Sequence, residues 1–201
     1  MAINLVKGQK ISLEKIGGRK LTNFYVGANW GAIDKKSFFG GTKKEAVDLD
    51  LSVGMYSSDK SLVGCVYFGR LSDSGITHSG DDRTGDLEGD DGLDNEIISV
   101  DLNKISSNVE QIVFVLNSYQ GHDFATIPFA SIRLYEGTPN RVDNVVATFN
   151  IASDPKFSGY VSMVLGKLYR RNGEWKFSAI GEPTMDKKLE QTLESIRIKF
   201  L

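Results

Sequence analysis

The chain has 201 residues, of which 40% are hydrophobic, so it can bury the core of one domain, and we expect residues 1–201 to form a single domain. Its single cysteine, Cys65, excludes an internal disulfide, and with only two histidines the chain has no His/Cys cluster for zinc. The formal net charge is −2, and no segment is long and apolar enough to cross a membrane, so we expect a reduced, cytoplasmic protein.

Ten short segments alternate apolar and polar residues, with turn residues between them. The predicted strands are residues 10–15, 21–28, 47–56, 62–70, 96–102, 111–118, 129–136, 142–150, 160–170 and 174–180. Regular short strands of this kind indicate an all-β sandwich or barrel. Asn172 and Gly173 lie between the last two strands and predict a tight hairpin, because both residue types adopt positive φ angles readily.

Helical spacing of apolar residues occurs near the end of the chain. Met185, Leu189, Leu193 and Ile196 predict a helix over residues 184–196, and we expect its apolar stripe to pack against the core. Beyond Ile196, apolar and basic residues alternate, which also fits a strand. The sequence therefore predicts a mainly β fold, a two-sheet β-sandwich with a short C-terminal helix.

Negative charge is concentrated in one segment, residues 80–96, which reads GDDRTGDLEGDDGLDNE. The segment holds eight carboxylates, four glycines and one arginine. Residues 81–101 carry a local charge of −8, so the rest of the chain carries +6. A mildly basic body with one acidic segment indicates a specific site rather than general solubility.

Three explanations of the acidic segment are open: a solvated loop, a docking patch for a basic partner, or a hard-cation site whose ion cancels the repulsion between carboxylates. The composition favours the cation, because glycines allow tight curvature and aspartates outnumber glutamates six to two. The surplus of oxygen ligands suits Ca²⁺ better than Mg²⁺, and the lack of nitrogen and sulfur ligands argues against zinc or copper. The EF-hand spacing does not fit, since a loop counted from Asp82 has Leu87 at the glycine position and Leu93 at the glutamate position.

A second pair of acids lies in residues 47–53, which read VDLDLSV. As a strand, this segment places its apolar residues in the core and puts Asp48 and Asp50 on the opposite face, about 7 Å apart. Two solvent-facing acids on an exposed sheet are the alternative. Beside the acidic segment, we predict instead that Asp48 and Asp50 form the floor of a Ca²⁺ site and that the acidic segment folds over them as a lid.

Several stretches together resemble the TerD family of tellurium-resistance and stress-response proteins, in order and over essentially the whole chain. They are VDLDLS, HSGDDRTGDLEGDDGLDNEIISVDL, QIVFVLNSYQGHDF, FASIRLYEG and LGKLYRRNGEWKFSAIGE. The most specific of them is the acidic loop followed by the EIISVDL strand.

The resemblance implies a bacterial, cytoplasmic β-sandwich that binds one or two Ca²⁺ ions and takes part in resistance to tellurite, other chemical stress and phage. It carries the metal-ligand role to Asp48, Asp50, Asp81, Asp82, Asp86, Glu88, Asp90, Asp91 and Glu96. Shorter family members have an asparagine where this chain has Asp82. They also lack the four residues before Glu96, GLDN, which add Asp94 to the candidates.

No enzymatic activity is expected. One cysteine in an apolar run argues against direct reduction of tellurite, and we expect His78 to order the acidic loop through a hydrogen bond. Two alternatives stay open: a metal-assisted hydrolase or ligand-binding enzyme that uses the same acids, and a metal-free acidic interaction module. As partners, the resemblance favours other Ter-type proteins or a membrane-associated complex. No nucleic acid is predicted, because the chain has no Lys/Arg run with interleaved aromatics.

Overall fold

The structure is a computed structural model and describes residues 3–4, 8–13, 20–36, 40–151 and 155–201. Its elements in chain order are β1 (Ile3–Asn4), β2 (Lys10–Ser12), β3 (Asn23–Trp30), β4 (Ile33–Lys36), β5 (Thr42–Glu45), β6 (Leu49–Tyr56), β7 (Leu62–Val66), β8 (Ser72–Asp73), β9 (Ile76–His78), β10 (Glu96–Asp101), β11 (Gln111–Ser118), β12 (Ala130–Thr138), β13 (Arg141–Asn150), β14 (Ser162–Arg171), β15 (Glu174–Thr184) and α1 (Leu189–Lys199). Two single-turn 3₁₀ helices, Phe124–Thr126 and Pro155–Phe157, lie in loops. Each of the ten predicted strands overlaps one of these strands.

The strands form two large sheets and a separate hairpin. The first sheet has the order β1-β13-β12-β3-β10-β9-β8, and the second has the order β2-β15-β14-β11-β6-β7. β1 runs parallel to β13, and the other described pairings in the two sheets are antiparallel. β4 and β5 pair with each other in a two-stranded hairpin.

One apolar core lies between the two large sheets. It combines side chains of the first sheet, such as Val26 and Ile98, with side chains of the second sheet, such as Leu51 and Phe114. Because one cluster joins residues of both sheets, they pack face to face, and the predicted two-sheet sandwich is confirmed.

Helix α1 covers part of the outer face of the second sheet. Leu193 and Ile196 pack with Tyr56 and Val113 in a second apolar cluster. A side chain at Gly54 would lie 2.7 Å from Cδ2 of Leu193, so this glycine allows α1 to approach β6 closely. The Tyr56 hydroxyl donates a hydrogen bond of 3.0 Å to the Leu193 carbonyl. The helical stripe is therefore core packing, as expected.

The hairpin prediction is confirmed, and the predicted start of the helix is wrong. Asn172 and Gly173 connect β14 to β15 with φ angles of 54° and 78°. β15 continues as far as Thr184, which pairs with Ser162, and α1 begins only at Leu189. Met185 therefore lies outside the helix and is 77% exposed. The basic and apolar alternation beyond Ile196 belongs to α1 up to Lys199, not to a strand.

In the described ranges, no helix is both long enough and apolar enough to pass through a bilayer. The α-helix α1 has 11 residues.

Strand ends from both sheets meet at one end of the sandwich, which we call the loop end. In the first sheet β3 ends there at Trp30, and the side-by-side pairing of β9 and β10 brings His78 and Glu96 to the same end. In the second sheet Leu49 of β6 pairs with Ser118 of β11 at this end. The loop end consists of residues 31–36, 40–48, 67–71, 79–95, 119–129 and 185–188.

The packing of α1 predicts a clear difference between two substitutions. Leu193→Ala should lower the free energy of unfolding by about 2–5 kcal/mol, because it leaves a cavity against β6 and β11. Met185→Ala removes an exposed side chain and should change the free energy of unfolding by less than about 0.5 kcal/mol. Urea denaturation of the two variants measures both values, and equal effects would contradict the observed start of α1.

Candidate metal centre

Asp48 and Asp50 lie on the outer face of the second sheet, at the loop end. Leu49 and Leu51 alternate with them and are fully buried in the sandwich core. This is the alternation that the sequence predicts for a strand. The two aspartates are only 3% and 6% exposed, so they are not a solvent-facing pair on an open sheet.

The side chains of His78 and Glu96 bind the backbone of Leu51 where the edge of β6 has no neighbouring strand among the described residues. We call this arrangement the Leu51 clamp. β7 pairs with β6 only as far as Val66, opposite Val53. Beyond that point, Oε2 of Glu96 accepts the Leu51 N–H at 2.7 Å, and Nε2 of His78 lies 3.0 Å from the Leu51 carbonyl oxygen. The clamp therefore gives both backbone polar groups of the buried residue Leu51 a partner.

The same clamp fixes the two ends of the acidic loop, residues 79–95. His78 lies directly before the loop and Glu96 directly after it. Nδ1 of His78 accepts the Gly80 N–H at 3.0 Å, so the neutral ring carries its proton on Nε2 and donates it to Leu51. Oε1 of Glu96 accepts the Asp82 N–H at 3.2 Å. The expectation that His78 orders the loop through a hydrogen bond is confirmed.

The loop brings Asp81 to the two strand aspartates, which gives the first acidic group: Asp48, Asp50 and Asp81. One carboxylate oxygen from each residue lies within 4.8 Å of the others. Burial, with the nearby charges of Glu96, Asp48 and Asp81, raises the pKa of Asp50 to about 7. Burial and the charge of Asp81 also raise the pKa of Asp48, while Arg83 opposes this shift. Burial and repulsion therefore disfavour the ionised forms of Asp48 and Asp50.

A second acidic group consists of Asp86, Asp90 and Asp91, whose carboxylate oxygens also lie within 4.8 Å of one another. Asp86 is half-buried, and the other two are exposed. The backbone of Asp86 forms a bridge with Gly31, which joins this part of the loop to the end of β3. Burial raises the pKa of Asp86, against the effect of a hydrogen bond from Asn95.

The structure places the other four predicted ligands outside these two groups. Oδ1 of Asp82 accepts the backbone N–H groups of Thr84 and Gly85, so it shapes the first turn of the loop. Asp94 is half-buried beside Arg133, at 2.8 Å in an ion pair. Oε2 of Glu96 accepts the Leu51 N–H, and its Oε1 accepts the Asp82 N–H. Glu88 is exposed. For all ten acids, the role of metal ligand stays a prediction.

Two asparagines that the sequence did not single out organise the second acidic group. The Asn95 side chain accepts the Trp30 N–H at 2.8 Å and donates to Asp86 at 2.9 Å. The Asn29 side chain donates to Asp90 at 2.9 Å, while its own Oδ1 is buried with no hydrogen-bond partner in the described part of the chain. Neither contact has a local sequence signal, because each joins residues of the loop to the distant strand β3.

One residue of the first acidic group, Asp48, has a buried oxygen without a partner in the parts of the chain that the structure describes. Within the described residues, Oδ1 of Asp48 is buried and accepts no hydrogen bond. Leaving a buried acceptor unsatisfied costs about 1–3 kcal/mol, and more for a charged group. Three carboxylates this close also repel one another. The arrangement therefore disfavours the fully ionised state unless a cation lies among the three carboxylates.

Comparisons with known proteins agree on one family. The family model described as the TerD domain matches residues 1–195. The stress response protein SCP2 of Bacillus subtilis (strain 168) is 35% identical over 96% of this chain and 98% of its own length. The tellurium resistance protein TerD of Serratia marcescens is 33% identical over 90% of this chain and 91% of its own length.

A solved structure has the same fold. It is the crystal structure of a homologue of telluride resistance protein (TerD) from Streptomyces coelicolor A3(2), with a TM-score of 0.65 over 84% of this chain and 94% of that chain. Since the two sequences are 16% identical, this likeness shows the fold alone.

The Leu51 clamp predicts different effects for two equivalent substitutions in the same region. Glu96→Gln replaces an acceptor of two backbone N–H groups by a group with one acceptor oxygen and one amide donor. We expect it to lower the free energy of unfolding by about 1–3 kcal/mol. Glu88→Gln removes the same charge from an exposed position and should have an effect below about 0.5 kcal/mol. Chemical denaturation with chelator present measures both, and a neutral Glu96→Gln would contradict the clamp.

Proposed function

Because the chain belongs to the TerD family, in which relatives are named as tellurium-resistance and stress-response proteins, we propose that it is a Ca²⁺-binding protein of this stress response. In this proposal the metal lies between the strand aspartates and the acidic loop. It serves a structural or regulatory purpose rather than a catalytic one. The observation that carries the proposal is the unpartnered, buried Oδ1 of Asp48 within a group of three carboxylates.

The spacing of the first acidic group fits one Ca²⁺ ion. Ca²⁺ binds oxygens at about 2.3–2.6 Å, so two ligand atoms on opposite sides of the ion are about 5 Å apart. The three carboxylate oxygens of Asp48, Asp50 and Asp81 lie within 4.8 Å of one another, which is inside this limit. The donor set is oxygen only, as a hard cation prefers.

The second acidic group supports a second ion. Its three carboxylate oxygens also lie within 4.8 Å of one another, and the unpartnered Oδ1 of Asn29 lies on the side chain that bonds Asp90. Two exposed members leave this group more open to solvent than the first group. We therefore propose two Ca²⁺ ions, with the more buried one between β6 and the loop.

Bound Ca²⁺ would change the stability of the loop more than that of the sandwich. The strands are held by their pairings and by the apolar core, in which the ion takes no part, whereas the loop brings together carboxylates that repel one another. An ion that binds only the folded state therefore stabilises the closed arrangement of the loop over β6. This dependence allows the loop surface to report the Ca²⁺ concentration, which is the regulatory part of the proposal.

The thiol chemistry of the chain supports an indirect part in tellurite resistance. Cys65 lies on β7 and is half-buried, and burial raises the pKa of its thiol to about 11. The thiolate is the reactive form of cysteine, so this thiol is almost entirely unreactive near neutral pH. We therefore propose that the protein contributes to resistance through binding rather than by reducing the oxyanion with its own cysteine.

The first prediction of the proposal concerns the wild-type protein. A calorimetric titration with Ca²⁺ should show binding at two sites, with a weaker or no response to Mg²⁺. Ca²⁺ at about 100 times its dissociation constant should stabilise the fold by about 2.7 kcal/mol per site. For a chain of this size that corresponds to a rise in melting temperature of about 5–10 °C. Thermal unfolding in Ca²⁺, Mg²⁺ and chelator measures the rise.

A second prediction separates the metal site from the fold. Asp48→Asn with Asp50→Asn should abolish one of the two binding events, because it removes two ligands. The same variant should be at least as stable as the wild type in chelator, because it also removes like-charge repulsion. The matched control is Asp143→Asn, which removes an exposed carboxylate of β13 and should leave both binding events intact.

Two results would contradict the proposal. If wild-type protein shows neither heat of binding nor a thermal shift with Ca²⁺, the acidic loop is a metal-free interaction surface. If Asp48→Asn with Asp50→Asn leaves the Ca²⁺ titration unchanged, the strand aspartates are not ligands and the site lies wholly within the loop.

A further inference from the structure

Exposed apolar side chains are concentrated at the loop end of the molecule. Among the described residues, six of nine large hydrophobic side chains that are exposed lie in its loops. Those at the loop end are Phe68, Leu71, Leu87, Leu93, Tyr119 and Met185, and the other three are Leu62, Val63 and Ile198. The end that carries both acidic groups therefore also carries most of the exposed large apolar side chains of the described residues.

Two of these side chains form an aromatic pair beside the first acidic group. The rings of Phe68 and Tyr119 meet edge to face with their centroids 5.9 Å apart. Tyr119 is 66% exposed, and its backbone N–H donates to the Asp48 carbonyl at 2.9 Å. The pair thus lies next to a predicted metal ligand and is open to a partner.

Positive charge also lies at the loop end, on the hairpin of β4 and β5. Lys35 and Lys43 stand directly opposite each other across the hairpin, while Lys35 and Lys44 form ion pairs with Glu45 at 2.9 Å and with Asp34 at 2.8 Å. The hairpin follows Ala32, whose N–H donates to the Asp86 carbonyl at 3.3 Å, so it adjoins the second acidic group. Residues 33–45 contain four lysines and two acids, a net charge of +2.

We infer that the loop end docks on an anionic phospholipid bilayer when Ca²⁺ is bound, an inference that rests on the function proposed above. Without the ion, the eight carboxylates of residues 80–96 repel an anionic surface. With the ion, the charge of both acidic groups is reduced, and the hairpin lysines and apolar side chains can meet the lipid headgroups.

At the second acidic group, lipid phosphate can bind the Ca²⁺ ion directly, because this group is open to solvent. Ca²⁺ takes six to eight oxygen ligands, and Asp86, Asp90 and Asp91 supply three carboxylates from the protein. Asp90 and Asp91 are exposed, so the remaining positions face outward. Phosphate oxygens of anionic lipids have the chemistry to occupy them.

The distribution of the apolar side chains favours a bilayer over a protein groove. They lie on four separate loops, at residues 67–71, 79–95, 119–129 and 185–188, rather than along one strand or helix. A fluid interface accommodates separate apolar side chains of this kind, and aromatic and lysine side chains suit the headgroup region.

The test is co-sedimentation of the full chain with vesicles. Vesicles of phosphatidylcholine with 30% phosphatidylglycerol, a composition of about one anionic lipid in three chosen for strong surface potential, are compared with vesicles of phosphatidylcholine alone. Each is measured with Ca²⁺, with Mg²⁺ and with chelator. We expect sedimentation only with anionic vesicles and Ca²⁺.

Paired variants test whether the exposed aromatic surface makes the contact. Phe68→Ser with Tyr119→Ser should reduce partitioning onto the anionic vesicles by about tenfold or more, which corresponds to the loss of two aromatic contacts with the interface. Its calorimetric Ca²⁺ titration should equal that of the wild type. The control, Leu62→Ser with Ile198→Ser, makes equally exposed apolar positions polar outside the loop end and should partition like the wild type.

The failure of this inference can be distinguished from failure of the proposed function. If calorimetry shows Ca²⁺ binding but the wild type does not sediment with anionic vesicles, the docking inference is overturned and the Ca²⁺ site stands. If calorimetry shows no Ca²⁺ binding, both are overturned. Equal sedimentation in chelator, or with uncharged vesicles, also overturns the inference, as does Ca²⁺-dependent dimerisation in light scattering without vesicle binding.

Discussion

The Leu51 clamp is the interaction on which the arrangement of the acidic end depends. A loop of this length and charge has no apolar core of its own. Its first and last neighbours, His78 and Glu96, bind the backbone carbonyl and the backbone N–H of one buried residue of β6, Leu51. Fixing both ends of the loop at one point removes most of the conformations that would separate the like charges. Asp81 then lies over Asp48 and Asp50, although the three carboxylates repel one another.

The clamp explains why repulsion is tolerated at this end of the sandwich. The rest of the fold has a continuous apolar core, and the outer face of β6 is covered by α1. That stability allows a local arrangement which, without a cation, raises the pKa of both strand aspartates. Places where local electrostatics oppose the fold are often functional, which supports the proposal of a cation site here.

The local patterns predicted the fold better than they predicted the site. Alternation in β6 gave the correct faces of Asp48 and Asp50, because the side-chain direction of a strand follows from its period of two. The start of α1 was wrong because the pairing of Thr184 with Ser162, a long-range contact, extends β15 through the first predicted turn. The roles of His78 and Glu96 at Leu51 depend on where β7 stops beside β6. Composition and alternation have no access to that endpoint, so neither contact was predicted, and the role of Glu96 as a metal ligand, which the family resemblance implies, stays a prediction.

The outer face of the second sheet is divided between the acidic loop and α1, and Asn117 lies at the boundary. It is the register partner of Asp50 on one side and of Ser162 on the other. Its amide donates to Ser162 at 2.6 Å and to Thr192 of α1 at 3.1 Å, while its own oxygen is buried and unpartnered within the described residues. Charge at Asp50 therefore acts on a residue that also holds the helix. Because buried polar groups interact strongly at low local dielectric, we expect a change of charge at Asp50 to affect how Asn117 holds α1.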